Sequence, residues 1–169
     1  WSVKSDLETA EIAAQASLTG HLVFTTLHTN DAPSSIARLL DLGIEPFLVT
    51  ATIEGIIAQR LIRRICDNCK MPFEPSEAQL MGLRLTPDDV KGKKFYYGRG
   101  CDRCNKTGYR GRTALFEIMV FNDEVRELIM NNASTNILRT AAQKGGMSLL
   151  RDNGLAAIFD RSEEHKSEL

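Results

Sequence analysis

Four cysteines fall in two identical frames, Cys66-Asp67-Asn68-Cys69 and Cys101-Asp102-Arg103-Cys104, and the 169-residue sequence holds no others. A two-residue spacer lets two thiolates converge from one tight turn onto a single ion, and two such turns complete a tetrahedral set. Four thiolates leave no open position for water, so the pattern predicts a structural rather than catalytic Zn2+. Redox pairs and disulfides are the other chemistries this spacing permits. Disulfides need an oxidising compartment that nothing else in the chain suggests, and two CxxC frames around a core-poor segment favour metal. The 31 residues between the inner cysteines exceed the usual spacer of roughly 15–20, so a metal-clamped loop subdomain is expected, not a compact finger. Gly98, Gly100, Gly108 and Gly111 flank the second pair, where sharp turns demand backbone angles that glycine tolerates. Lys106, Arg110 and Arg112 project from this loop as a solvated rim or as a contact surface.

The second candidate is "TGHLVFTTLHTND", Thr19 to Asp31. Its β-branched and aromatic run, continuous through Leu22-Val23-Phe24, predicts a buried, parallel strand covered on both faces. Ligands gather outside the carboxyl ends of parallel strands, which makes His28 a ligand-facing candidate. His21 and His28 are an odd number apart, so on a strand they point to opposite faces and cannot share a metal. An imidazole at a strand end can sense a phosphate's charge, with Thr29 and Asn30 adding neutral donors. Capping or packing is the other use of a histidine there, and spacing alone leaves both open. No GxxxxGK[ST] phosphate loop occurs in the sequence, so these residues cannot cradle a triphosphate in that way.

The elements that must position these groups follow an α/β order. Asp6 to Leu18 reads as a helix with a small face of Ala10, Ala13, Ala14 and Ser17, stopped by Gly20. After the strand, Asp31 caps a second helix with Pro33 in its first turn and Ile36, Leu39 and Leu40 as its apolar stripe, ending at Gly43. A third helix is expected from about Glu45 to Leu61. Cys66 to Arg112 then turns to Cys, Gly, Pro and Lys, with one short helical stretch near Ser76 to Leu83. "ALFEIMVF" resumes as a strand, followed by helices over Asp123–Met130, Thr135–Gln143 and Ser148–Phe159. The expected domains are therefore 1–65, 66–113 and 114–160.

Composition sets bounds. With 43% hydrophobic residues the chain can build a core, and no run approaches the roughly 18 apolar residues of a membrane span. The formal charge of −1 is unevenly spread: residues 60–112 carry 13 Lys/Arg against 6 Asp/Glu, the remainder 8 against 16. This basic island is a solvated surface or a face for phosphate, acidic protein or anionic lipid.

Several of these stretches occur together and in order: "DLETAEIAAQASLTGHLVFTTLHTNDAPSSIARLLDLGIEPFLV", "IIAQRLIRRICDNC", "CDRCNKTGYRGRTALFEIM" and "GMSLLRDNGLAAI". So combined, they closely resemble the C-terminal part of the type II secretion and type IV pilus assembly ATPases, over roughly Asp6 to Asp160. The resemblance implies the C-terminal part of a RecA-like P-loop ATPase domain with an inserted tetracysteine zinc module and a C-terminal helical subdomain. It implies a cytoplasmic homo-hexamer, peripheral at a bacterial inner membrane. Such a hexamer couples hydrolysis of ATP with Mg2+ to fibre assembly or secretion and works with inner-membrane platform proteins. On the matching positions, His28 lies near the terminal phosphate with Thr29 and Asn30 beside it. Asp6 and Glu8 support the site from the acidic segment, Arg60 couples subunits, and Cys66, Cys69, Cys101 and Cys104 bind zinc. The retraction relatives lack the tetracysteine module, which favours assembly or secretion.

Two departures qualify this. Where the family has Gly-Glu-Ile-Arg before the aspartate, this chain has "SVKS", so Val3 stands in place of the acid that acts on magnesium and water. The tail "RSEEHKSEL", Arg161 to Leu169, reads like translated adapter DNA or a cloning scar and is expected to be non-native, and "WSVKS" has the same look. A fragment that begins within the motor domain is expected, and by itself not to hydrolyse ATP. The rival is a zinc-stabilised basic module that binds nucleic acid or protein without catalysis. Its aromatics, Phe73, Phe95, Tyr96, Tyr97 and Tyr109, lack an interleaved stacking pattern, so no direct nucleic-acid contact is expected.

Overall fold

The computed structural model describes residues 7–160. Asp6, Val3 and the tail from Arg161 lie outside the described residues. The chain divides into two compact units: one takes the chain up to Gln59 together with Phe116–Leu150, the other Arg60–Leu115 together with the chain from Arg151.

In the first unit, α1 (Leu7–Leu18) turns its small side chains inward: Ala14 is buried, Ala10, Ala13 and Ser17 are partly so. The Ser17 hydroxyl donates to the Thr52 carbonyl at 3.1 Å, and Gly20 ends the turn at φ +88°. Helix α2 (Ala32–Asp41) begins as its sequence predicts. The Asp31 carboxylate accepts the Ser34 N–H at 2.9 Å, Pro33 occupies the first turn, and Ala32, Ile36 and Leu39 are buried. That spacing lays one stripe against the core. The core continues through Val49 of α3 (Pro46–Thr52), Val125 and Ile129 of α5 (Asp123–Met130) and Leu138 of α6 (Thr135–Lys144), joined by Ile44, Met119, Phe121 and Met147 from outside these helices.

Asp31 does more than cap. Arg139 of α6 donates to its second oxygen at 2.8 Å. Burial works against the Asp31 carboxylate, but hydrogen bonds from Ser34 and Arg139 outweigh it and hold its pKa below the ordinary 3.8. A lowered folded-state pKa stabilises the fold above the unfolded value, and that contribution is lost as pH falls through the folded value. Asp31→Ala is expected to lower stability by about 1–2 kcal/mol at neutral pH. Urea unfolding of the pair should show the gap narrowing once the pH drops below 3.8.

Two expectations are corrected. Residues 21–29 form no strand, and Leu22 and Phe24 are 82% and 88% exposed. A strand exists through its ladder of hydrogen bonds, and neither described sheet contains a partner for this segment. The helix expected over residues 45–61 stops at Thr52, and Gly55–Ile65 is instead strand β1. Its run of Ile56, Ile57, Ile62 and Ile65 is β-branched, which suits a pleated strand better than a helix. At its start a Cβ on Gly55 would meet the Met119 carbonyl at 3.1 Å, and the Phe121 N–H donates to the Glu54 carbonyl at 3.1 Å. The "ALFEIMVF" strand is present and longer, as the major part of β4 (Tyr109–Val120), which pairs with β1.

In the second unit, β2 (Lys70–Phe73) and β3 (Phe95–Gly98) pair antiparallel, with Phe73 opposite Phe95 and Met71 opposite Tyr97. Their aromatic face packs edge-on, Phe73 against Phe95 at 6.1 Å and against Tyr97 at 5.9 Å, and Phe159 of α7 (Leu150–Asp160) meets Phe95 at 5.8 Å. The expected helix near Ser76 is α4 (Glu77–Gly82), closed by a Ser76–Gln79 capping box and anchored by buried Leu80. This apolar core is small, consistent with a unit that needs a cross-link.

Candidate functional site

The four cysteine sulfurs converge. Cys66 leaves the end of β1, and its N–H donates to the Gly108 carbonyl at 2.9 Å. Cys69 turns back on Cys66 (N–H to carbonyl, 3.1 Å). Cys101 precedes and Cys104 ends a single 3-10 turn, Asp102–Cys104, that exits through Asn105 and Lys106, both at positive φ (50° and 61°). All four sulfurs lie within 4.8 Å of one another, with Sγ···Sγ separations of 3.9 Å (Cys66–Cys101), 3.8 Å (Cys69–Cys104) and 3.7 Å (Cys101–Cys104). Zinc–sulfur bonds of about 2.3 Å in a tetrahedron set sulfur–sulfur edges of roughly 3.8 Å. Disulfide sulfurs would stand about 2.0 Å apart. The residues present thus fit a tetrahedral thiophilic ion and do not form disulfides; all four cysteines are free.

The surrounding donors favour thiolate. The Cys101 and Gly108 N–H groups aim at the Cys104 sulfur at 3.2 and 3.3 Å, and the Asn68 amide reaches the Cys101 sulfur at 3.3 Å. At Cys104 burial opposes ionisation, yet those N–H groups bring its thiol down to about 6. Burial and its sulfur neighbours push Cys69 up to about 12. Four thiols this close cannot all ionise alone, whereas a divalent cation removes the repulsion.

The glycines around the second knuckle have two different causes. Gly100, Gly108 and Gly111 adopt positive φ (93°, 77° and 78°), as expected from the turns. Gly98 does not, but the backbone crosses so closely there that its Cβ would lie 2.0 Å from the Gly108 carbonyl oxygen.

The nucleotide candidates are placed separately. His28 and Asn30 are exposed. The Thr29 hydroxyl is engaged with the Ser35 hydroxyl at 2.7 Å and donates to the Asp31 carbonyl at 3.4 Å, fastening the segment to the start of α2. Glu8 is exposed on the first turn of α1. Arg60 lies on β1, exposed and in the second unit. His21 has local work, its Nδ1 2.9 Å from the Thr19 hydroxyl.

One residue escaped the sequence reading. Glu117, on the inward face of β4 and 2% exposed, accepts the Ala32 N–H on Oε1 at 2.8 Å and the Leu150 N–H on Oε2 at 3.0 Å. One carboxylate thus satisfies the first N–H of α2 and of α7, where helices lack internal acceptors. The available signal was a lone acid at an alternating, core-facing position of an apolar strand.

Comparison with known proteins places the whole assembly. Residues 5–167 match the family described as Type II/IV secretion system protein, and the chain belongs to that family. It is 51% identical over 92% of its length to the type IV pilus assembly ATPase PilB of Myxococcus xanthus, and covers 28% of that protein. It is 46% identical over 92% of its length to the type II secretion system protein E of Pseudomonas aeruginosa, covering 30% of it. The chain thus spans under a third of these relatives. It also superposes on the pilus retraction motor PilT with bound ADP at a TM-score of 0.47 and 24% identity, covering 96% of this chain and 40% of that one, a likeness too loose to fix the fold. These relatives are named as an ATPase of pilus assembly and a protein of type II secretion, and the matches do not favour a stand-alone basic binding module.

Proposed function

We propose that this chain is the C-terminal part of a RecA-like motor domain, from a hexameric ATPase that couples ATP hydrolysis to type IV pilus assembly or type II secretion. The observation that carries the reading is the in-register identity to the pilus assembly ATPase PilB along 92% of the chain. Its divisions are the ATPase-core segment 1–65, the zinc module 66–113 and the helical subdomain 114–160. The motor works in the cytoplasm, peripheral at an inner membrane, against platform proteins of its machinery.

In that motor Cys66, Cys69, Cys101 and Cys104 hold Zn2+, which supplies rigidity and no open coordination position. Exposed His28 faces the terminal phosphate of ATP with Thr29 and Asn30, Asp6 and Glu8 support the Mg2+-nucleotide site, and Arg60 stabilises phosphate charge across a subunit border. Thr29's bond to Ser35 supports this role by fixing the backbone on which His28 and Asn30 stand. The 169 residues contain no phosphate loop, so this chain alone has no turnover.

In the full-length protein, His28→Ala is expected to keep nucleotide affinity within about threefold while kcat falls at least 100-fold, the size of a lost general acid–base or positioning group. Equilibrium binding of a fluorescent ATP analogue and steady-state hydrolysis measure the two effects. Unchanged kcat would remove His28 from the mechanism.

A further inference from the structure

The segment that carries His28 lies outside both described sheets, so its position is set where it runs into α2. The Thr29 hydroxyl meets the Ser35 hydroxyl at 2.7 Å, and the Ser35 hydroxyl donates to the Asp31 carbonyl at 3.3 Å. These bonds close a small loop between the segment and the first turn of α2. The Asp31 side chain then ties that loop outward. One oxygen accepts the Ser34 N–H at 2.9 Å, and the other accepts the Arg139 guanidinium at 2.8 Å.

Arg139 reaches Asp31 from α6, 108 residues away. It follows Leu138, which is buried in the same core as Ile36 of α2, so the backbone beneath it is fixed. Its other terminal nitrogen donates to Asn136 Oδ1 at 2.8 Å, three residues back on the helix, and this turns the planar fork toward Asp31. Both terminal nitrogens are therefore engaged within the protein. The Arg139 and Asp31 side chains are 29% and 25% exposed, whereas the Glu54 and Glu124 carboxylates in other pairs of the unit are 87% and 48% exposed. A pair shielded on both sides is screened less by salt and holds its geometry better than a surface pair.

We propose that Arg139 is a positioning residue for ATP turnover: through Asp31 it fixes the chain that presents His28 and Asn30, and so ties α6 to the nucleotide site. This inference rests on the reading of His28 given above. Arg139 touches no reacting atom; it acts on where the imidazole stands. Catalysis is steep in such placement, since a shift of about 1 Å caused by a remote substitution can cost on the order of 100-fold in rate. A motion of α6 would reach His28 by the same ion pair, which makes Arg139 a route from the helical segment to the hydrolytic step.

The test is steady-state ATP hydrolysis by the full-length protein. Arg139→Met is expected to lower kcat about tenfold with KM for ATP within about twofold, the split of a group that matters only in the transition state. Arg139→Lys, whose ammonium still offers the carboxylate a point charge, is expected to recover most of that loss. Asp31→Asn keeps an acceptor for the Ser34 N–H, since asparagine caps as well as aspartate, but turns an amide N–H toward the guanidinium. It is expected to lose kcat as Arg139→Met does at an unchanged melting temperature, and it decides the question if Arg139→Met does not fold. In a His28→Ala background, Arg139→Met is expected to cost no more than about a further twofold, because both changes act through one imidazole. Wild-type kcat in Arg139→Met and Asp31→Asn overturns the proposal, as does a full additional loss in the His28→Ala background. A raised KM at unchanged kcat also overturns it and makes Arg139 a nucleotide contact. If His28→Ala itself leaves kcat unchanged, the nucleotide-site reading falls and this inference with it; a loss at His28 with none at Arg139 removes this inference alone.

Discussion

Cys101→Ser is expected to abolish stoichiometric zinc binding and to unfold the second unit while the first keeps its helices. The second unit has little else to hold it. Its core comprises Leu80, Phe95 and the aromatic contacts of Phe73, Tyr97 and Phe159, and small domains with so little core depend on metals or disulfides. Three of the six sulfur–sulfur separations, which together involve all four cysteines, already match the edges of a zinc tetrahedron, so binding energy becomes folding energy, on the order of 10 kcal/mol in small zinc domains. A serine hydroxyl cannot replace the thiolate, and Cys101 stands in contact with both Cys66 and Cys104. Metal analysis should fall from one zinc per chain to a small fraction. Hydrogen exchange should rise across residues 66–108 and stay low at Val125 and Ile129, which are buried in the first unit. A metal-free chain with full protection over residues 66–108 would sink the zinc assignment. Chelation of the wild type at neutral pH is expected to give the same exchange pattern, reversed by added zinc.

Glu117→Ala is expected to destabilise the first unit by about 2–4 kcal/mol, since a buried N–H left without its acceptor costs about 1–3 kcal/mol. Two N–H groups lose their acceptor at once, those of Ala32 and Leu150, and Ala32 is fully buried, so no water replaces the oxygen. Glu117→Gln separates the charge from the geometry. Its amide keeps one acceptor and turns a second donor toward a donor, so it should lose roughly half as much. Urea unfolding of both variants, read by far-UV circular dichroism, measures this. Equal stability of Glu117→Ala and wild type would show that the two helix starts do not depend on the carboxylate.

What was legible in the sequence depended on how local the cause was. The Asp31 cap, Pro33 in the first turn, the Ile36–Leu39 stripe and the short helix near Ser76 are decided within a few residues and were found. The cysteine frames were legible because thiol chemistry restricts what two-residue spacers can do. The segment at Leu22-Val23-Phe24 was misjudged because its apolar run describes a wish for neighbours, and whether strands lie beside it is a property of distant chain. The stretch from Ile53 to Ile62 satisfied helical and strand periods alike, and pairing with β4 decided between them. Glu117 was invisible for the same reason: its partners Ala32 and Leu150 are 85 and 33 residues away. Gly98 was expected to bend the chain, but its cause is a crossing with Gly108.

The exposed run around Leu22 and Phe24 has a practical side for anyone handling this chain in isolation. A stretch that is β-prone, uncharged from Gly20 to Asn30 and outside either described sheet offers its backbone to any like segment that drifts past. Concentrated samples are thus prone to stick through this segment, and solubility in purification will be governed there more than by the zinc unit. A lysine at Phe24 is the gatekeeper change that guards such an edge.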